Sequence, residues 1–158
     1  MRLITALLHT HNDALRLGRC LETLYPCDEI VILDHASTDA TLKIARDYGA
    51  KVVAADSLSS YERIARHDWM LCLDSRESLT ESLAASLFDW KTQPSSGAET
   101  SRAFSVFCRE ETPRGWTENS QPQTRLVPAN WDRWEKHLPV NEPSAVALEG
   151  ELLRFVFP

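Results

Sequence analysis

The sequence has no excess of positive charge, no long apolar run and no paired cysteines, and each absence removes a class of function. With 17 Lys and Arg against 23 Asp and Glu the formal net charge is -6, so a broad electrostatic grip on nucleic acid or anionic lipid is not expected. No apolar stretch approaches the roughly 18 to 20 residues that span a bilayer, and the opening MRLITALLHTHND turns polar too early for a secretory signal. The expected compartment is the cytoplasm. Cys20, Cys27, Cys72 and Cys108 form no C-x-x-C pair and read as reduced residues, with Cys72 in WMLCL and Cys108 in FSVFC expected to be buried. Internal repeats and low-complexity tracts are also missing.

What is there suits one globular domain: 158 residues, 43% of them hydrophobic. LITALL is a buried strand running into the polar cluster His9-Thr10-His11-Asn12-Asp13. Leu17, Cys20, Leu21 and Leu24 then mark one face of a helix, with Asn12 or Asp13 as its cap and Pro26 as its stop. EIVILD is a second strand, of the doubly buried parallel kind. A second helix follows on Thr41, Ile44, Ala45 and Tyr48, capped by Ser37 or Thr38 and closed by Gly49. KVVAA is a third strand, residues 60 to 66 a short helix, and WMLCLD a fourth strand. A third helix follows, carrying Leu79, Leu83 and Leu87 or Phe88 with Thr80 as cap.

Strand and helix alternate from Met1 to Lys91, which predicts an α/β fold with a mostly parallel sheet flanked by helices. Beyond the turn-rich residues 93 to 100 the pattern shifts to AFSVFC, TRLVP and LLRFVF, expected to form a small antiparallel part. The expected layout is a single domain over 1–158, with a strand–helix half over 1–92 and a shorter half over 101–158. Ligands of open α/β sheets sit at the carboxyl ends of the strands. Three of those ends are polar here: residues 9–13, 34–39 and 74–77.

HTHND, followed by DEIVILDHASTDATLKIARDYGAKV, resembles the start of inverting family 2 glycosyltransferases of the GT-A type. Their first strand ends in a T-Y-N-E loop and their second reads V-D-S-G-S-T-D. The nearest likeness is to the lipopolysaccharide core subgroup, and it extends to DWMLCLDSRE (against L-D-A-D-E) and QPQTRLVPANWDRWEKHLPVNE (against Q-x-R-L-F and V-H-E). The resemblance implies a Rossmann-like GT-A domain whose half over 1–92 binds the nucleotide and whose shorter half over 101–158 lies on the acceptor side. It also implies transfer of a sugar from a nucleotide-diphosphate sugar to a glycan or lipid-linked acceptor, with inversion, in bacterial cell-envelope polysaccharide synthesis. Carried over by position, Thr10, His11, Asp13, Asp34, His35, Asp39 and Asp74 would surround the nucleotide. Trp116, Trp131 and Trp134 would line an acceptor cleft or pack the second half.

The departures bear on catalysis. The family's metal-binding carboxylate is Arg76 here, and an arginine cannot hold the Mg²⁺ or Mn²⁺ that the family uses. Arg76 would instead pair with the diphosphate, making transfer metal-independent. The V-H-E histidine is Asn141, which leaves Glu142 as the candidate general base. A helix with a Q-R-N element is shortened to DSLSSYERIARH, and the chain stops at Pro158, where relatives continue. The alternative is a degenerate, non-catalytic module that binds a nucleotide or a protein partner, and a homo-oligomer is open in either case. Read apart from the family, His9 and His11 with Asp34 and His35 would suggest a metal site and a hydrolase, but the S-T-D segment favours the glycosyltransferase pattern, with no metal site assigned.

Overall fold

The structure, a computed structural model, describes residues 1–57, 61–94, 102–118 and 121–158. Apolar runs bounded by polar loops become strands β1 (Ile4–Thr10), β2 (Glu29–Asp34), β3 (Lys51–Ala54) and β4 (Trp69–Asp74). They lie parallel in the order β3-β2-β1-β4, with Thr10 beside Asp34 and His9 beside Asp74. Their carboxyl ends therefore share one rim. Ile4, Ala6, Leu8, Ile32, Leu71 and Leu73 face one core cluster; Leu7, Val31, Leu33, Met70 and Cys72 face the other. That alternation is the period-two signature of strands covered on both faces.

Helices cover the first face. In α1 (Leu17–Glu22) the expected positions Leu17, Cys20 and Leu21 are buried, with Leu24 just beyond. The helix starts later than its apolar spacing suggests, because Asn12 and Asp13 are used elsewhere: Asn12 accepts N–H bonds from Thr38 and Asp39, and Asp13 accepts from His11. α2 (Thr41–Asp47) likewise takes no cap from Ser37 or Thr38; Asp39 accepts the Thr41 N–H instead, at 2.9 Å. Tyr48, expected on the buried face, is 41% exposed and donates its hydroxyl to Glu22. Residues 61–63 form only a 3₁₀ turn, while Ser60 and the linker at 95–100 lie outside the described residues. In α3 (Glu81–Thr92), Thr80 caps the Leu83 N–H as expected, and Leu83 and Leu87 are buried while Phe88 faces out. Leu79 belongs to the short strand β5 (Glu77–Leu79), not to the helix.

The later strands join the main sheet. β6 (Phe104–Thr112), β8 (Gln123–Pro128) and β11 (Val146–Arg154) continue the same sheet in the order β4-β8-β6-β11-β5, while β7 (Gly115–Trp116) pairs with β6. β8 runs antiparallel to β4 and β6, and β11 runs parallel to β6 and antiparallel to β5. A small antiparallel pair, β9 (Trp134–Glu135) and β10 (Leu138–Pro139), stands apart. Where the register of β11 shifts, between Ala147 and Glu151, Gly150 has φ +96, and a Cβ there would lie 2.3 Å from the Leu83 nitrogen. Only glycine lets β11 approach α3 this closely.

Candidate functional site

The rim of β1, β2 and β4 is the place the chain-end rule selects, and its polar side chains divide into those that hold the loops and those that face open space. Asp34 belongs to the first group. It accepts from Thr10 Oγ1 at 2.7 Å, from the Ser37 N–H at 2.9 Å and from Ser37 Oγ at 2.6 Å. Although burial opposes its charge, these hydrogen bonds hold its carboxyl below the ordinary value. Asp39 ties Thr41 and the Ala14 N–H, and Asp13 caps His11 while its own N–H donates to Thr41. His11 is exposed, its Nδ1 2.5 Å from the His35 carbonyl. The loops after β1 and β2 are thus stitched into one frame.

His9 and His35 turn the other way. His9 Nδ1 lies 2.8 Å from His35 Nε2, and His9 Nε2 lies 3.0 Å from the Tyr61 hydroxyl. His137, at the turn between β9 and β10, stacks on His9 with ring centroids 3.8 Å apart. Burial, then the charges of His137 and His35, push the His9 imidazole down to about 3, so it is neutral. These rings, with Tyr61, Trp131 and Trp134, border a cavity of about 590 Å³. Trp116 instead packs edge-on against Phe155. His9 and His11 part, His9 meeting the His35 ring and His11 the His35 carbonyl, and the third ring of the group, His137, carries no sequence signal: it sits in a polar loop more than a hundred residues downstream.

A second cavity, of about 340 Å³, shares Lys136 and His137 with the lining of the first and is bordered by Asp74, Thr124, Asn141 and Arg154. Asp74 accepts the Arg76 N–H at 2.9 Å, and its two oxygens lie 3.7 Å from Arg76 Nε and 3.8 Å from Arg154 Nη2. A carboxylate already flanked by two guanidiniums does not fit Mg²⁺ or Mn²⁺, which need several oxygen ligands and no adjoining cation. Positive charge at this position comes from the arginines. Arg154 gave no warning in the sequence, because it lies inside an apolar strand run.

Glu77, the last residue of the polar end after β4, is not a rim group. It is fully buried and pairs in fork geometry with Arg125 of β8, at 2.6 and 2.9 Å. The same carboxylate accepts the Asp74 N–H at 2.7 Å. The Arg125 guanidinium, held by Glu77 against its burial, is pushed above its usual range. The pair therefore fixes the Asp74–Arg76 turn from below. Glu142 sits off both cavity walls, ion-paired with Arg133 and accepting from Ser144 Oγ at 2.8 Å. Asn141 accepts the Thr124 N–H at 2.9 Å.

No family model matches the chain. Over 87 residues it is 37% identical to an uncharacterized glycosyltransferase of Rickettsia bellii (strain RML369-C), which is 51% of this chain and 30% of that one. The corresponding protein of Rickettsia felis is 34% identical over 90 residues, 52% and 32% of the two chains. A TPR repeat-containing protein of Synechococcus elongatus is 31% identical over 123 residues, 73% of this chain and 29% of that one. Each match takes in less than a third of the relative's length. Among solved structures, glucosyl-3-phosphoglycerate synthase from Mycobacterium tuberculosis, in complex with Mn²⁺, UDP and phosphoglyceric acid, aligns with TM-score 0.50 and 19% identity, over 72% of this chain and 45% of that one. Mannosyl-3-phosphoglycerate synthase from Rubrobacter xylanophilus aligns with TM-score 0.50 and 18% identity, over 71% and 41%. At these identities the likeness is one of fold.

Proposed function

With a GT-A glycosyltransferase fold and glycosyltransferase-like sequence as premise, we propose that this chain binds a nucleotide-diphosphate sugar across the two neighbouring cavities and transfers the sugar, with inversion and without a divalent cation at Asp74, to a glycan or lipid-linked acceptor. The observation that carries the reading is that two cavities lie side by side at the strand ends, with Lys136 and His137 lining both. The larger takes the base and ribose at the β1–β2 rim, where Tyr61 and Trp134 offer aromatic surface. Thr10, His11, Asp13, Asp34 and Asp39 build the frame of that pocket, and His35 borders it. The diphosphate lies toward Asp74, where Arg76 and Arg154 supply the charge that a metal ion gives elsewhere. We place this activity in the cytoplasm, in cell-envelope polysaccharide synthesis.

Glu142 is the carboxylate we assign as base, through the loop that carries Asn141 into the smaller cavity. Its ion pair with Arg133 favours a second reading, a module that binds the nucleotide and does not transfer the sugar, since a base must reach the acceptor hydroxyl within hydrogen-bond distance. Calorimetry and thermal shift with UDP, CDP, GDP and their common sugars, with and without Mn²⁺, test the proposal on the wild type and Arg76→Ala. A ligand at a hundredfold its Kd stabilises the fold by about 2.7 kcal/mol. Metal-independent binding weakened by Arg76→Ala supports the site; absence of binding by every nucleotide overturns it. Turnover of a bound donor to water or sugar acceptors separates the transferase from the module.

A further inference from the structure

His9, His35 and His137 come from three separate segments, and one nitrogen of each lies within 4.8 Å of the others. His9 Nδ1 and His35 Nε2 face each other at 2.8 Å, so one of the two nitrogens donates a proton to the lone pair of the other. The Tyr61 hydroxyl on the far nitrogen of His9, at 3.0 Å, provides an acceptor for an Nε2 proton and so frees Nδ1 to act as a ligand. A partner on the remote nitrogen is the usual companion of a metal-bound histidine. The third ring is delivered by a two-residue turn in which Lys136 has φ +54, a left-handed conformation that a lysine adopts at a cost. The rings open onto the larger cavity, so a fourth coordination position faces free volume.

We propose that His9, His35 and His137 form a three-imidazole site for one divalent transition metal ion, of the zinc class, with its open position turned into the 590 Å³ cavity. The ion takes the place of the proton between His9 and His35, which moves to the remote nitrogen of His35, so both rings bind as neutral imidazoles. Nitrogens bound at about 2.0–2.1 Å around a tetrahedral ion stand about 3.3 Å apart. The His9–His35 contact therefore widens slightly, and the exposed His137 unstacks and swings inward. All-nitrogen ligation selects zinc, cobalt, nickel or copper over Mg²⁺ and Mn²⁺, which prefer oxygen. This site is distinct from the Asp74 position, and it does not require that the cavity bind a nucleotide.

The test is titration of the full chain, freed of any histidine tag, with Co²⁺ and then Zn²⁺. The expected result is one ion per chain, with the visible bands of four-coordinate Co²⁺ and no thiolate charge-transfer band. His137→Ala, a change at an exposed turn, lowers the affinity at least about tenfold, the scale set by loss of even an outer partner of a metal ligand. His35→Ala does the same, and His67→Ala binds as the wild type does. Circular dichroism and a thermal melt confirm that each variant is folded. No uptake by the wild type at micromolar metal, uptake indifferent to both His137→Ala and His35→Ala, or a thiolate band overturns the site. Titration of chelator-treated protein with UDP, CDP and GDP reads the nucleotide proposal separately: nucleotide binding without zinc uptake sinks only the metal site, and zinc uptake without binding of any of the three sinks only the nucleotide proposal.

Discussion

The first-half loops and the second-half strands handle polar groups in opposite ways. After β1 and β2, the carboxylates of Asp13, Asp34 and Asp39 are consumed by neighbouring N–H and hydroxyl groups of the same two loops. In the second half, Arg125 reaches under the floor to a carboxylate of the first half, while Arg154, Lys136 and His137 face the cavities. The lesson is a division of labour: the motif-bearing loops form a stiff frame, and much of the charge and many of the rings that meet a ligand arrive from the less recognisable half.

Removing one partner of the Glu77–Arg125 pair should have the largest effect. Glu77→Ala leaves a guanidinium buried without its counter-charge and should cost about 3–5 kcal/mol in urea unfolding, whereas the double change Glu77→Leu with Arg125→Met should cost much less. A loss under about 1 kcal/mol, the range of exposed pairs, would show that the halves are not joined through this contact. Next comes Arg76→Ala, expected to weaken UDP binding by about 1.5–3 kcal/mol, the worth of charged hydrogen bonds, while leaving unfolding within about 0.5 kcal/mol of wild type. Equal losses in both would erase the distinction between frame and ligand-facing charge.

Thr10→Val removes a donor to buried Asp34 and should cost about 1–2 kcal/mol, read by thermal unfolding; a neutral result would mean that Ser37 alone secures the frame. A fourth test concerns Glu142, whose carboxyl is held below its ordinary 4.5 by Arg133 and Ser144. A depressed carboxylate stays charged as pH falls, so a transferase using it as base keeps activity until below that value. Arg133→Ala should then move the acid limb of kcat/KM upward. A limb that stays put assigns the base elsewhere. The smallest effect is Lys136→Gly, which relieves the left-handed turn and should raise stability by no more than about 1 kcal/mol.

Strands and buried helix faces were legible because period-two and helical spacings are local. Leu17, Cys20, Leu21 and Leu24 are all buried as their spacing requires. The start of α3 was legible too, at Thr80, but those of α1 and α2 were not, because Asn12, Asp13 and Ser37 spend their side chains on groups that only the folded rim brings near. The placement of β6, β8 and β11 inside the main sheet was hidden for a related reason: composition marks a strand but not its partner. Arg125, inside the strand run TRLVP, has its partner Glu77 48 positions earlier, a pairing with no local signal. Of the expected site residues, His35 does border the larger cavity, whereas the grouping of His9 with His137 depends on a tight turn between strands of two residues each.

Gly150 and the strand order together constrain how the chain can be made. β5, at the end of the sheet path, pairs with β11 alone among the described strands, and α3 rests on β11 at a point too close for any side chain. A growing chain that has emerged only as far as α3 thus holds a strand without a partner, a helix without its bed, and a bare edge on β4 where β8 belongs. Such edges are templates for pairing with other molecules. Completion of the fold waits for its late strands, and chains shortened before β11 should be recovered as aggregates, not as a smaller nucleotide-binding unit.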